Sequence, residues 1–273
     1  MAAGPVTRVA CENFAQFFET WLAEQKRDLQ SLHSAASFPP PRTRDEASAR
    51  DRRLRPLIAS VLSSYEHYYT AKAASARRDV LPMFTPTWTS STENLFLWIG
   101  GWRPSMAFQL LYSKCGVQIE SGITELVGNL DANDLGDIDT DQLRRIDELH
   151  RRTVRLEREK SEEAAAAQEM VADSNMVGIS HAITEMRGGD GEEMMEVEMK
   201  AKMEAMGKVL EKADGLRMET LKGLVAILRP IQAVHFLIAA AELHLRLHEY
   251  GMSKDAAARE AGTVVTAIRS AGL

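Results

Sequence analysis

The chain is expected to be all-α, a multi-helix bundle of long amphipathic helices with one flexible acidic, glycine-bearing loop. Three observations carry that expectation. Apolar side chains recur at spacings of three and four through most of the 273 residues, the period of a helix buried along one face. No apolar run alternates with period two, and no Asn-Gly pair offers a hairpin turn. The interruptions fall at "FPPPR", "WIGGWRP", "MRGGDGEE" and "LRP", where proline and glycine end helices.

Taken in order, the first helix spans 10–33 and sets Phe14, Phe17, Phe18, Trp21, Gln25, Leu29 and Leu32 on one face. Pro39 to Pro41 then make an exposed loop. A second helix over about 45–79 carries Leu54, Leu57, Ile58, Val61, Leu62, Tyr65 and Tyr69 as its stripe, and Pro82 and Pro86 close it. Ser90, three residues before Glu93, is a capping-box start for a third helix that runs to a stop at Gly100-Gly101. Pro104 suits the first position of the next. Helices follow over 139–172, capped by "DIDTDQ", over 193–228, and over 231–250, where Gly251 suits the C′ position. The expected organisation is a flexible N-terminus (1–9), one helical domain (10–252) with loops at 34–44 and 173–193, and a C-terminal tail (253–273) that is a short amphipathic helix or frays.

Lys and Arg number 33 against 39 Asp and Glu, a net charge of −6, which makes no global electrostatic case for nucleic acid or an anionic membrane. The two cysteines, Cys11 and Cys115, form neither a disulfide framework nor a Cys-x-x-Cys site. The start lacks a signal peptide's apolar core. The longest apolar stretch, "AVHFLIAAAELHL", is interrupted by His235 and Glu242 and is too short for a bilayer. A soluble, reduced, intracellular protein is expected.

Several motifs resolve into plain readings. "DANDLGDIDTDQ" (131–142) imitates a calcium loop, with Asp131, Asn133, Gly136 and Asp139 in register. Leu135 stands at position five and Gln142 at twelve, so two oxygen suppliers are missing and a polar loop with a helix cap is expected. "QLRRIDELHRRTVRLEREK" spaces Leu149 and Leu156 one heptad apart, but the next step is Glu163, so a solvated helix face replaces a zipper. "ARDRRLRPLIASVL" (49–62) has the basic-then-apolar look of a calmodulin target and reads as the solvated start of a core helix. No nucleophile elbow, phosphate loop, metalloprotease helix or kinase signature occurs. No catalytic residue is assigned, and binding or scaffolding is favoured over catalysis.

The chemistry-bearing pair is His244 and His248 in "ELHLRLHEYG". At about 100° per residue, Gln232, His235, Glu242, Arg246 and Glu249 gather into a polar stripe. The two histidines fall nearly opposite, among Ala233, Leu237, Ala240 and Ala241. With the stripe facing water, both imidazoles point inward. Two readings stay open: core histidines with satisfied nitrogens, or a ligand pair. One turn apart, they could chelate one metal, but zinc needs a third protein ligand. His181 or Cys115 could approach only through the fold, so no metal is assigned. For haem, whose axial ligands come from opposite faces, at most one of the pair can be axial. The other would orient a propionate, fill the pocket or serve as an alternative ligand.

"TPTWTSSTENLFLWIGGWRPSMAFQLLYS" (85–113) resembles the signature of the plant DELAY OF GERMINATION domain family: a Trp-containing loop, a helix ending Leu-Trp-Ile-Gly-Gly, then Arg-Pro-Ser. "FAQFFETWLAEQKRDLQSL" resembles the family's opening helix and "LRPIQAVHFLIAAAELHLRLHEYG" its closing one, with Tyr250 where Trp is common. The resemblance covers roughly 10–252. It implies an all-α, non-enzymatic regulatory domain, with relatives among seed-dormancy regulators, a pollen-aperture factor and the C-terminal halves of TGA-type bZIP transcription factors. It implies haem as a cofactor held by His244 and His248, which match the position and spacing of a histidine pair in dormancy members. It also implies type-2C protein phosphatases of the abscisic acid pathway as partners, through a segment near the N-terminus to which no stretch here clearly corresponds. Transcriptional co-regulation through TGA-type partners is the alternative. No basic leucine zipper precedes the domain, so no direct contact with nucleic acid is expected, and the nucleus and/or cytoplasm is the expected location. Trp98, Trp102 and Arg103 read as an architectural corner between helices or as a partner-binding hot spot.

Overall fold

A computed structural model describes residues 14–39, 41–115, 138–185 and 190–270, and among them every regular element is a helix. The elements are α1 (Phe14–Ala36), α2 (Arg44–Ala76), α3 (Leu81–Phe84), α4 (Ser91–Phe96), α5 (Met106–Cys115), α6 (Thr140–Glu169), α7 (Ser174–Glu185), α8 (Asp190–Ile227) and α9 (Pro230–Ser270), with a 3-10 turn at Met170–Ala172. Among the described residues no helix is long and apolar enough to cross a membrane. Cys11 and the 131–137 part of the calcium-like loop lie outside the described residues.

α1 buries the face read from its spacing: Phe14, Phe18, Trp21 and Leu32, together with the polar Gln25. α2 starts at an N-cap in which the Thr43 hydroxyl accepts from Glu46 N, and it runs straight through Pro56. A proline there costs about 3 kcal/mol, and burial of Leu54, Ile58 and Val61 around it carries the helix across. At the start of α6, Asp139 and Gln142 form a reciprocal capping box, so the end of the calcium-like loop acts as a helix cap.

α9 is the central element: it lies against α1, α2, α4 and α5, while α6 and α7 lie along α8. One core joins Leu54 and Ile58 of α2, Phe108 and Leu111 of α5, Ile146 of α6, Leu224 of α8 and Phe236 and Leu237 of α9. A second, aromatic core joins Phe14, Phe18 and Trp21 with Val80, Met83 and Leu210. The space described below is bordered by members of both.

Three expectations about the longer helices and their links need correction. The 173–193 segment is not simply a loop, because α7 occupies Ser174–Glu185. Met176 and Ile179 are buried, and Asp173 both accepts from Met176 N and pairs with the buried Lys202 of α8. Packing on α8 thus orders a stretch whose flanking glycines suggested a linker. Gln232 does not face water. It is 1% exposed and its Oε1 accepts from Gln142 Nε2 at 2.9 Å and from Arg229 N at 2.8 Å, tying the starts of α6 and α9 together; His235 in the same stripe is half-buried.

Gly251 ends nothing, since α9 continues to Ser270. It is buried, and a Cβ there would lie 2.6 Å from Ser90 Cβ and 3.2 Å from Thr92 Cβ. The residue is small because α4 sits on it. Gly251→Ala would gain about 1 kcal/mol of helix propensity but must push α4 away, at about 1–3 kcal/mol. We expect net destabilisation, read as a lower urea midpoint; a more stable variant would show that α4 yields without cost.

Candidate functional site

The Leu-Trp-Ile-Gly-Gly-Trp-Arg-Pro-Ser stretch builds a turn, not a helix end. α4 begins with the expected capping box of Ser90 and Glu93, yet it stops at Phe96, short of Gly100. Trp98 N donates to Gly101 O at 2.7 Å and Gly101 N to Trp98 O at 3.2 Å. Ile99 and Gly100 both take positive φ, 45° and 63°, as a tight two-residue turn of this kind demands. For a β-branched isoleucine that conformation costs of order 1–3 kcal/mol. Each glycine has its own reason. A Cβ on Gly100 would stand 2.7 Å from Met83 O, and one on Gly101 would stand 2.9 Å from Arg217 Cζ.

Arg217 and Lys72 hold the turn from beneath. The buried Arg217 guanidinium donates to the carbonyls of Trp98, Ile99 and Trp102, and Lys72 Nζ donates to Gly100 O at 2.6 Å. Both cations pair with Asp214, Lys72 at 2.9 Å. Burial pulls the Lys72 ammonium down to about 8; Asp214 opposes the shift and Arg217 adds to it. Two guanidinium groups lie over the Trp98 ring, Arg217 at 5.3 Å and Arg103 at 5.7 Å from its centroid, while its Nε1 donates to Ser161 Oγ at 3.0 Å. Arg103 Nε donates to the buried Glu157 carboxylate at 3.1 Å, whose other oxygen accepts from Ser105 N. Arg103 is thus held by a carboxylate, while the fork that gathers the carbonyls is that of Arg217.

Above this turn lies a cavity of about 730 Å³, within the span of about 300–1,000 Å³ usual for small-molecule sites. Its walls are chiefly apolar and aromatic: Phe18 and Trp21 from α1, Tyr65, Tyr68 and Tyr69 from α2, Trp88, Phe96 and Trp102 around the motif, and Leu243 and Leu247 from α9. Lys72, Arg103 and Arg217 bring positive charge to the wall, and Glu93 one carboxylate. Burial raises the Tyr65 hydroxyl to about 12 against the hydrogen bond from Gln25, so the tyrosines stay neutral. Trp21 Nε1 is buried without a partner.

His244 stands on this wall, edge-on or tilted to Phe18 at 6.4 Å, Trp21 at 5.7 Å and Trp102 at 6.3 Å. Its Nδ1 lies 2.8 Å from Gln25 Oε1, and Gln25 Nε2 donates to Tyr65 OH at 3.0 Å. Burial drives its pKa down to about 4, with Glu93 opposing and His248 reinforcing the shift; the ring is neutral at physiological pH. His248 also turns inward, 15% exposed at its side chain, but meets Glu93 instead of the cavity: its Nδ1 lies 2.9 Å from Glu93 Oε2. Burial would raise the Glu93 carboxyl, yet hydrogen bonds from His248 and from Ser90 outweigh it and hold it below the usual range. Among the described residues no third His, Cys, Asp or Glu joins the pair in a metal-binding group.

The fold thus brings His244 and Trp102 to one cavity with Arg103 on its wall, and it places Trp98 behind the turn and His248 beside α4. Lys72, Asp214 and Arg217 were not singled out from sequence, and Glu93 appeared there only as half of a capping box. Gln25 left a trace there as a polar residue inside an apolar stripe.

Comparison with known proteins accords with the motif. The family model described as "Seed dormancy control", DOG1, matches residues 26–113. Protein DOG1-like 3 of Arabidopsis thaliana is 30% identical over 242 residues, spanning 86% of this chain and 82% of that protein. The chain belongs to the DOG1 family. This is a regulatory, non-catalytic family acting in seed dormancy control. Protein RESPONSE TO ABA AND SALT 1 of Arabidopsis thaliana is also 30% identical, across 87% of this chain and 94% of its own length. Transcription factor TGA2.3 of Oryza sativa subsp. japonica is 27% identical across 86% of this chain but only 62% of its own length. The DOG1 match contains the Trp98–Gly101 turn and stops before α9, so the histidine pair rests on geometry.

Proposed function

We propose that this DOG1-family chain is a non-enzymatic regulatory adaptor of the seed-dormancy and abscisic acid signalling type, and that its interior cavity takes haem at His244. The observation that carries the haem reading is the His244 ring on an apolar cavity wall with Nδ1 already satisfied by Gln25, which leaves Nε2 for an axial bond. The neutrality of the ring supports it, because a protonated imidazole cannot coordinate. Arg103 on the same wall, half exposed beside Glu157, suits a propionate group. His248, one turn on and held by Glu93, lies off the cavity wall and positions α4 against α9 instead of taking one of the roles expected of the second histidine. Haem, when bound, would supply an iron centre whose axial positions respond to small ligands and redox state.

Similarity to RESPONSE TO ABA AND SALT 1 supports the abscisic acid side of the proposal, with type-2C protein phosphatases as candidate partners. A second reading, co-regulation of transcription beside TGA-type factors in the nucleus, is favoured by the likeness to TGA2.3 across most of this chain. Chromatin recruitment that persists without a TGA partner would remove it.

Haemin titration followed at the Soret band tests the first reading. His244→Ala is expected to weaken binding at least about tenfold, and His248→Ala to weaken it less. Equal affinities and spectra for wild type and His244→Ala would overturn the haem assignment.

A further inference from the structure

We propose that Gln25 is a positioning residue that fixes the tautomer of His244, so that Nε2 is the nitrogen offered to the cavity. The proposal deepens, and for its ligand rests on, the haem reading above, but its core concerns this chain's own side chains.

α1 carries a misfit. Phe14, Phe18, Trp21 and Leu32 are buried along one face, and Gln25 is buried with them at 4% exposure. Burying a primary amide is costly unless both ends are hydrogen-bonded, and a leucine would continue the stripe at no such cost. Both ends are in fact used. The amide nitrogen is spent on Tyr65 OH at 3.0 Å, which turns the oxygen toward His244 Nδ1 at 2.8 Å.

An amide oxygen can only accept, so Nδ1 must carry the proton. A neutral imidazole has one N–H, and Nε2 therefore keeps its lone pair. Phe18, Trp21 and Trp102 pack against the ring and limit its rotation. The neighbouring histidine shows the contrast. His248 hands its Nδ1 to a carboxylate, Glu93. Behind His244 the acceptor is the neutral Gln25 amide. The two histidines are thereby made chemically unequal: the amide-backed one borders the cavity, and the carboxylate-backed one does not.

The test uses the ligand-free protein labelled with 15N-histidine, with His244→Gln to assign the His244 signals, at mildly alkaline pH. Wild type and Gln25→Glu, which keeps an acceptor oxygen, should show a protonated Nδ1 and an unprotonated Nε2 on His244. Gln25→Leu, and independently Tyr65→Phe, which frees the amide to turn over, should shift the ring toward the other tautomer. Haemin affinity should fall about 10–100-fold in Gln25→Leu and recover to within a few-fold of wild type in Gln25→Glu. A protonated Nε2 in the wild type, or an unchanged tautomer in both Gln25→Leu and Tyr65→Phe, overturns the proposal. The expected tautomers together with no haemin binding by the wild type would support the role of Gln25 while removing the haem reading.

Discussion

Arg217→Met is expected to lower the unfolding free energy by about 3–5 kcal/mol, as removing one member of a buried charge cluster does. The side chain contacts Asp214 and three carbonyls of the Trp98–Trp102 stretch. Methionine fills much of the volume but donates nothing, and each stranded carbonyl costs about 1–3 kcal/mol. Lys72 remains to neutralise Asp214, which keeps the loss from growing further. The turn also carries Ile99 at positive φ, and without the clamp that strain is released by opening. Trp102, edge-on to His244, would move with it. Urea denaturation with an unchanged slope reads the loss directly. A change below about 1 kcal/mol, the worth of a single ordinary hydrogen bond, would mean that Lys72 holds the turn alone.

Acidification from neutrality toward pH 4 is expected to destabilise the protein by about 3 kcal/mol through His244. Its pKa falls from an ordinary 6.5 to about 4 in the fold, chiefly by burial, and a pH unit is worth about 1.4 kcal/mol. Between those values the unfolded chain binds a proton that the folded ring refuses, so lowering the pH favours unfolding. The stabilisation is complete above about 6.5 and lost by about 4. Glu93, held below its usual range, adds a loss of the same sign that begins only beneath the ordinary carboxylate range near 4.5. His150, lowered by burial with Glu157 opposing, adds a smaller one in the same window as His244. His244→Gln isolates the term: its stability should fall less steeply with pH than that of the wild type. Parallel profiles for the two proteins would show that the ring is not desolvated in solution.

Much of this architecture was legible in residue spacing. The α1 stripe, the capping boxes at Ser90 and Asp139, and the inward turn of His244 and His248 all follow from periods and side-chain chemistry that act within a few residues. The readings that failed needed a neighbour. Gly251 resembles a helix stop until α4 is seen lying on it. Gln232 belongs on the polar side of a helical wheel, and only Gln142 and Arg229 across the helix starts make its burial affordable. Arg217, within "DGLRMETLKG", looks like any charged residue of an amphipathic helix. Its one local sign is Asp214 three positions earlier, a spacing shared with many surface pairs.

The order of residues by itself determined that the chain is helical, where most helices begin, which family motif it carries, and which face of α9 holds two imidazoles. The meeting of distant elements decided the rest: that Gln25 stands behind one histidine and Glu93 behind the other, that two buried cations share Asp214 beneath a strained turn, and that an apolar cavity opens between the two cores. The division has a physical cause. Helix periodicity is a property of neighbouring residues, whereas desolvation and hydrogen-bond pairing depend on which surfaces the folded chain brings into contact.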